Sequence, residues 1–171
     1  MKILNKAVFL DRDNVLNVDY INVHKIEDWE WMPNAKEAVK YCNDNGYLAI
    51  VITNQSGISK GLFSEDDVKK LHNFVQEELK KIGAHIDSFY YCPHHEEGTV
   101  APYNVKCECR KPKPGMILQA CKDFDIDVKQ SYMIGDMPRD IECGINAGCK
   151  GTKLFDGVDL LKSVKEMLQD G

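Results

Sequence analysis

Two aspartates, Asp11 and Asp13, follow directly on the apolar run Ala7-Val8-Phe9-Leu10 in the stretch AVFLDRDNVLN. Like charges at that spacing repel, so the pair has to be relieved by a cation or used in chemistry. Further along, TNQSG offers Thr53, Asn54, Gln55 and Ser56, RKPKPG offers Lys111, and GDMPRD offers Asp136. If these segments meet, they bring together three carboxylates, a hydroxyl, an amide and an ammonium. Oxygen-rich sites of that kind suit magnesium, which keeps part of its water shell and binds substrate phosphates. A cation held there would relieve the repulsion between the aspartates and could take a phosphorylated ligand.

A second group lies in YCPHHEEGTVAPYNVKCECRKPKPG. Cys92 and His94 are separated by one residue, then twelve residues intervene, then Cys107 and Cys109 form another close pair. Three thiolates and an imidazole make a closed tetrahedral set of the structural zinc type, with no position left open for catalysis. Zinc there would order a polar loop that has little apolar surface of its own. His95 is the rival ligand to His94 and is expected to face solvent. The other cysteines, Cys42, Cys121, Cys143 and Cys149, read as small core residues.

The elements that must carry these groups alternate in type. Strands are predicted over 7–10, 47–53, 86–92, 131–136 and 150–155. Helices are predicted over 34–46, with Asn34 as cap and Gly46 as stop, and over 64–83, with the Ser64–Asp67 capping pattern. Three more follow over 114–124, 139–148 and 158–170. Single helices between apolar strands imply a parallel sheet covered on both faces, with ligands at the carboxyl ends of the strands. Residues 93–114 show no periodicity, and a loop of that length is functional or disordered.

Composition narrows the classes. The chain has 171 residues, 43% of them apolar, and a net charge of −5. One domain over 1–171 is expected. The acidic balance argues against a general nucleic-acid or membrane-surface binder. No stretch approaches the roughly 20 apolar residues of a membrane span. Charge at Asp11 interrupts any signal-like segment, so a cytoplasmic location with reduced thiols is expected. No apolar stripe is left over, so a monomer is expected.

The segments DRDNVLN, TNQSG, RKPKPG and GDMPRD, in that order, resemble the four motifs of the haloacid dehalogenase-like phosphatase superfamily. The resemblance spans Asp11 to Asp140 and implies an α/β, Rossmann-like three-layer fold with a five-stranded parallel sheet. It implies that Asp11 is the nucleophile and forms an aspartyl-phosphate, while Asp13 is the general acid and base. Thr53 and Asn54 would bind the phosphoryl oxygens and Lys111 would offset their charge. Magnesium would be held by Asp11, Asp136 and the main-chain carbonyl of Asp13. Asp140 would either cap its helix or support the site. The Cys/His loop resembles the zinc-loop subgroup, which lacks a large cap domain. Its members act on a phosphorylated small molecule, either a heptose bisphosphate or histidinol phosphate, and the heptose bisphosphate branch is the more similar. That implies removal of the 7-phosphate of a heptose 1,7-bisphosphate, with histidinol phosphate as the rival. Asp19, Tyr20, Ile21, Asn22, Thr53, Asn54, Gln55, Ser56, Arg110 and Lys111 match substrate-contact positions of that branch. The chain departs from the family pattern at Asn14-Val15, where Gly-Thr is usual, and at Met137, where a lysine is frequent. Asn14 can keep a left-handed turn as glycine would.

Overall fold

The computed structural model describes residues 2–169. Its strands are β1 (Ala7–Leu10), β2 (Leu48–Asn54), β3 (Ser88–Cys92), β4 (Tyr132–Gly135) and β5 (Gly151–Leu154). Its α-helices are α1 (Ala35–Asp44), α2 (Glu65–Lys80), α3 (Gly115–Phe124), α4 (Pro138–Ala147) and α5 (Leu160–Gln169). All strand pairs are parallel, in the order β3-β2-β1-β4-β5.

Side chains alternate across β1 as strand geometry requires. Val8 and Leu10 pack with Val39, Val51, Leu79 and Val164 on one face. Ala7 and Phe9 pack with Ile50, Ile52, Ile117 and Met133 on the other. Both faces are dry, which is why the strand reads as an unbroken apolar run. Helices α1 and α5 pack on one another over the first face, and α3 and α4 cover the second. The buried residues of α1, namely Ala35, Ala38, Val39 and Cys42, follow helical spacing. Those of α2 are Val68, Leu71, His72, Val75 and Leu79, with one polar ring in an apolar series.

The element ends refine the sequence expectations. Ser64 and Asp67 form the full capping box. Asn34 stands at the start of α1 but has a left-handed backbone (φ 57°) and makes no capping hydrogen bond. Gly46 has φ +80° two residues past α1 and serves as its stop. Pro114 precedes α3 instead of opening it. The last predicted helical residue, Asp170, lies outside the described residues. Cys42 and Cys143 are core residues, whereas Cys121 and Cys149 are half-buried at its margin.

The sheet order places the site. From the central β1 the chain runs outward through β2 and β3, then returns to β1's other side for β4 and β5. The crevice at such a reversal, beyond the carboxyl ends of the strands, is where open α/β sheets bind ligands. Leu10 is paired with both Val51 and Ile134. β1 therefore stops three residues short of the end of β2 and one short of the end of β4, and just past it the backbone N–H of Asp11 donates to the carbonyl of Ile134 at 3.0 Å. Among the described residues no second sheet covers this rim.

Candidate active site

Asp11 is nearly buried, and Lys111 reaches it from the far side of the chain. The Lys111 ammonium donates to Asp11 Oδ1 at 2.9 Å and to the carbonyl of Ile52 at 2.9 Å. It also lies 2.6 Å from Asp140 Oδ1. Burial pushes the Asp11 carboxyl well above the ordinary range; Lys111 opposes this, and Asp140 and Asp13 add to it. Burial pushes Lys111 down, but Asp11 and Asp140 outweigh it and hold the ammonium above its usual value. The lysine is thus a fixed positive charge between two carboxylates.

Two local devices hold it there. The Asn54 side chain clamps the Lys111 backbone, accepting from its N–H at 3.0 Å and donating to its carbonyl at 3.3 Å. Gly135, at the end of β4, leaves room for Asp140. A Cβ there would lie 2.3–2.4 Å from the Asp140 side chain. Asp140 fills both roles left open by the sequence, since its Oδ2 accepts from the Met137 N–H at 3.0 Å at the start of α4 while Oδ1 faces Lys111.

Asp13 lies partly open, with its two oxygens differently occupied. Oδ1 accepts from Arg12 Nε at 3.2 Å, Arg12 Nη2 at 2.8 Å and Asn17 Nδ2 at 3.1 Å. Among the described residues Oδ2 accepts only from Gln55 Nε2, at 3.2 Å. The turn between the aspartates and the core is made by Asn14 at φ 63°, as expected of asparagine. Val15, in place of a hydroxyl residue, is fully buried in the core.

The carboxylates of Asp11, Asp136 and Asp140 place one oxygen each within 4.8 Å of the others. Asn14 Nδ2 donates to Asp136 Oδ2 at 3.2 Å. Both oxygens of Asp140 are engaged, by Lys111 and by the Met137 N–H, whereas Asp11 Oδ2 and Asp136 Oδ1 have no donor among the described residues, so Asp11 and Asp136 are left for a cation. A hard-oxygen pair of this kind at a partly open rim fits magnesium.

A cavity of about 200 Å³ opens over this rim, lined in part by Asp11, Asp13, Asp19, Asn54, Lys111 and Asp136. Arg139, in the first turn of α4, also lines it, and the sequence reading missed this residue. Thr53 lies beneath, fully buried, its hydroxyl accepting from Gln55 Nε2 at 2.9 Å. Gln55 is itself buried and tied to Asp13. The backbone carbonyl of Ser56 accepts from the Ser59 hydroxyl at 2.6 Å. Tyr20, Ile21 and Asn22 form an exposed loop beside the rim and do not line this cavity. Tyr20 donates to Glu30 at 2.8 Å, and Ile21 and Asn22 have φ of 67° and 57°.

Arg110 lines an adjoining cavity of about 350 Å³ with Lys106, Lys113 and His95, and Lys111 borders both cavities. The Arg110 Nη1 is buried without a hydrogen-bond acceptor. Desolvation, and then the charge of Arg139, lowers the Arg110 pKa. Neither arginine has an acidic partner among the described residues. His95 is half-buried and accepts from the Glu97 N–H at 3.0 Å, so it is not simply solvent-facing.

The Cys/His loop closes on itself. Cys92 Sγ lies 3.5 Å from Cys107 Sγ and 2.8 Å from Cys109 Sγ, and Cys107 and Cys109 are 3.4 Å apart. His94 Nδ1 is 3.6 Å from Cys92 and 3.4 Å from Cys109. Four soft or borderline donors this close, with no disulfide among them, fit zinc. Glu65, at the start of α2, accepts from Tyr91 and Tyr103, each at 2.6 Å, and so ties the loop to the body. Gly115 brings the loop's end against α3, since a Cβ there would meet the Glu108 carbonyl at 2.2 Å.

A parallel sheet with this strand order, carrying paired aspartates after its central strand and a lysine–aspartate pair beside them, defines a haloacid dehalogenase-like hydrolase. Residues 108–166 match the family model described as HAD-hydrolase-like. The chain is 46% identical over 162 residues to the D-glycero-beta-D-manno-heptose-1,7-bisphosphate 7-phosphatase of Rhodopseudomonas palustris, covering 95% of this chain and 89% of that one. It is 43% identical over 168 residues to the enzyme of the same name from Pasteurella multocida, covering 98% and 88%. A solved D,D-heptose 1,7-bisphosphate phosphatase from B. bronchiseptica, complexed with magnesium and phosphate, superposes with a TM-score of 0.82 at 27% identity, covering 97% of this chain and 99% of that one. The chain belongs to the haloacid dehalogenase-like phosphatases, whose members use magnesium.

Proposed function

We propose that this phosphatase removes the 7-phosphate of a heptose 1,7-bisphosphate through an aspartyl-phosphate on Asp11. The observation that carries the reading is the pairing of two features. Asp11 lies against Lys111 at the rim; Arg139 lines the same cavity and Arg110 the adjoining one, near enough for their charges to interact, and together they can offer a second anion site. A bisphosphate needs both, and an arginine fork is well suited to the phosphate that is not cleaved. The names of the relatives support the same substrate.

In the first step a carboxylate oxygen of Asp11 bonds to phosphorus as the bond to the sugar oxygen breaks. Asp13 gives its proton to that leaving oxygen. In the second step Asp13 takes a proton from a water molecule, which attacks phosphorus, releases phosphate and frees Asp11. Lys111 holds the Asp11 oxygen and balances charge throughout. Magnesium would be held by Asp11, Asp136 and the Asp13 carbonyl, and would supply neutralisation of the phosphoryl oxygens. Thr53 and Asn54 act in the phosphoryl pocket, Thr53 through the ordering of Gln55 and Asn54 through Lys111. Cys92, His94, Cys107 and Cys109 would hold a structural zinc, which would set the direction of Arg110.

Histidinol phosphate is a second reading, because the Asp19 carboxylate at the cavity rim could face a cation. The arginine pair disfavours it. Initial rates with magnesium on heptose 1,7-bisphosphate (both anomers), fructose 1,6-bisphosphate and histidinol phosphate decide between them. The heptose bisphosphate is expected to have the highest kcat/KM, and a preference for histidinol phosphate overturns the proposal.

A further inference from the structure

Arg12, between the two aspartates, is the largest side chain with no solvent exposure. It does not line the cavity over the rim. Its guanidinium is spent on four groups. Nε and Nη2 hold Asp13 Oδ1, and Nη2 also donates to the carbonyl of Val23 at 2.7 Å. Nη1 lies 3.3 Å from Nε2 of His72, and the guanidinium carbon stands 5.9 Å over the Trp29 ring.

His72 is the one polar residue on the buried face of α2. Its ring stacks on Phe89 of β3 at 4.3 Å and 16°, with Tyr91 at its edge. Arginine only donates, so Nε2 must be the lone-pair nitrogen and the proton must sit on Nδ1. Burial, with Arg12 adding to it, pushes the imidazole down to about 3, so the ring is a neutral acceptor at any ordinary pH. Without His72 the buried Nη1 group would have no acceptor at all, at a desolvation cost, and rotation to recover a partner would release Asp13.

We infer that His72 is a positioning residue for proton transfer: its Nε2 locks Arg12, and Arg12 fixes Asp13 with Oδ2 turned to the substrate. The inference rests on the reading of Asp13 as general acid. Oδ1 is saturated by three donors, so the transferable proton belongs on Oδ2, whose one donor among the described residues is Gln55. No group in this chain of contacts touches the reacting atoms except Asp13.

The test uses two aryl phosphates. Phenyl phosphate has a leaving group that needs a proton, whereas 2,4-dinitrophenyl phosphate leaves as a stable anion. kcat/KM reports the steps up to phosphoenzyme formation, and the ratio for the two substrates is independent of how much of a preparation is active. His72→Phe keeps the ring stack and removes the acceptor. It is expected to lower phenyl phosphate turnover about tenfold relative to the dinitrophenyl ester, a part of the ~10²–10⁴ that general acid catalysis supplies. His72→Gln restores an acceptor and is expected to return the ratio to within about twofold of wild type. Arg12→Lys, which keeps the charge but loses the fork, is expected to shift the ratio as His72→Phe does and serves if that variant is insoluble. A wild-type ratio in the soluble one of these two overturns the inference, as does a His72→Gln ratio equal to that of His72→Phe. Asp13→Asn separates the failures. If it shifts the ratio and His72→Phe does not, only the positioning role falls; if Asp13→Asn leaves the ratio unchanged, Asp13 is not the acid.

Discussion

Lowering the pH puts a proton on His72 in the unfolded chain long before it can do so in the folded one. The free imidazole titrates at 6.5, and the buried ring only near 3. Between those values the unfolded state binds more protons, so stability rises with pH across the window and falls as pH drops through it. Each unit of pH below 6.5 costs about 1.4 kcal/mol, or about 2.7 kcal/mol by pH 4.5. That is a large share of the roughly 5–15 kcal/mol by which a domain of this kind is stable. The assay is urea unfolding of wild type and His72→Gln at pH 7.5, 6.5, 5.5 and 4.5. Loss of the zinc ligands to protonation affects both proteins alike and cancels in the difference. The gap between the two is expected to move by about 2–3 kcal/mol in favour of the glutamine variant as pH falls from 6.5 to 4.5. Parallel curves would refute the claim that the ring is buried and neutral.

Gly135→Ala should push Asp140 off Lys111, costing about 1–3 kcal/mol of stability by overpacking, with kcat falling about tenfold or more; calorimetry and steady-state rates check both. Arg110→Ala should lower kcat/KM for the bisphosphate by about 10- to 100-fold, the value of a charged hydrogen bond, and leave an aryl phosphate nearly unchanged. Equal losses on both substrates would move Arg110 into the reacting centre. Purified protein should contain about one zinc per chain. Cys107→Ser should lower that content and reduce bisphosphate turnover in a way magnesium does not restore, measured by elemental analysis beside activity.

The parts of the fold that depend on local pattern are legible in the chain itself. Fully buried parallel strands must be continuous apolar runs, so β1, β2 and β4 are marked by composition alone. The Ser64–Asp67 box is written in two residues. Asn34 is not: it stands where a cap would, but its backbone is left-handed and its side chain makes no capping hydrogen bond. The metal-ligand sets are legible by spacing, and the structure gathers Cys92, His94, Cys107 and Cys109 as their order suggests. What spacing hides is the second layer. An arginine between two aspartates reads as a solvated charge, yet Arg12 is buried because Val23 and Trp29, later in the same β1–α1 connection, and His72 of α2 close around it. The grip of Asn54 on the Lys111 backbone joins positions 57 apart in sequence. Arg139 reads as one more surface charge at a helix start until α4 is seen to begin at the strand-end crevice.

The central claim is that Asp11 carries the phosphoryl group. The most direct measurement is a single turnover with heptose 1,7-bisphosphate and magnesium, quenched in the pre-steady state and treated with borohydride. Borohydride reduces an acyl phosphate to an alcohol, so Asp11 is expected to appear as homoserine in the tryptic peptide, with no such change in Asp11→Asn or without substrate. Homoserine at Asp13 or Asp136, or unmodified Asp11 in a sample that has released phosphate in the same burst, would contradict the account.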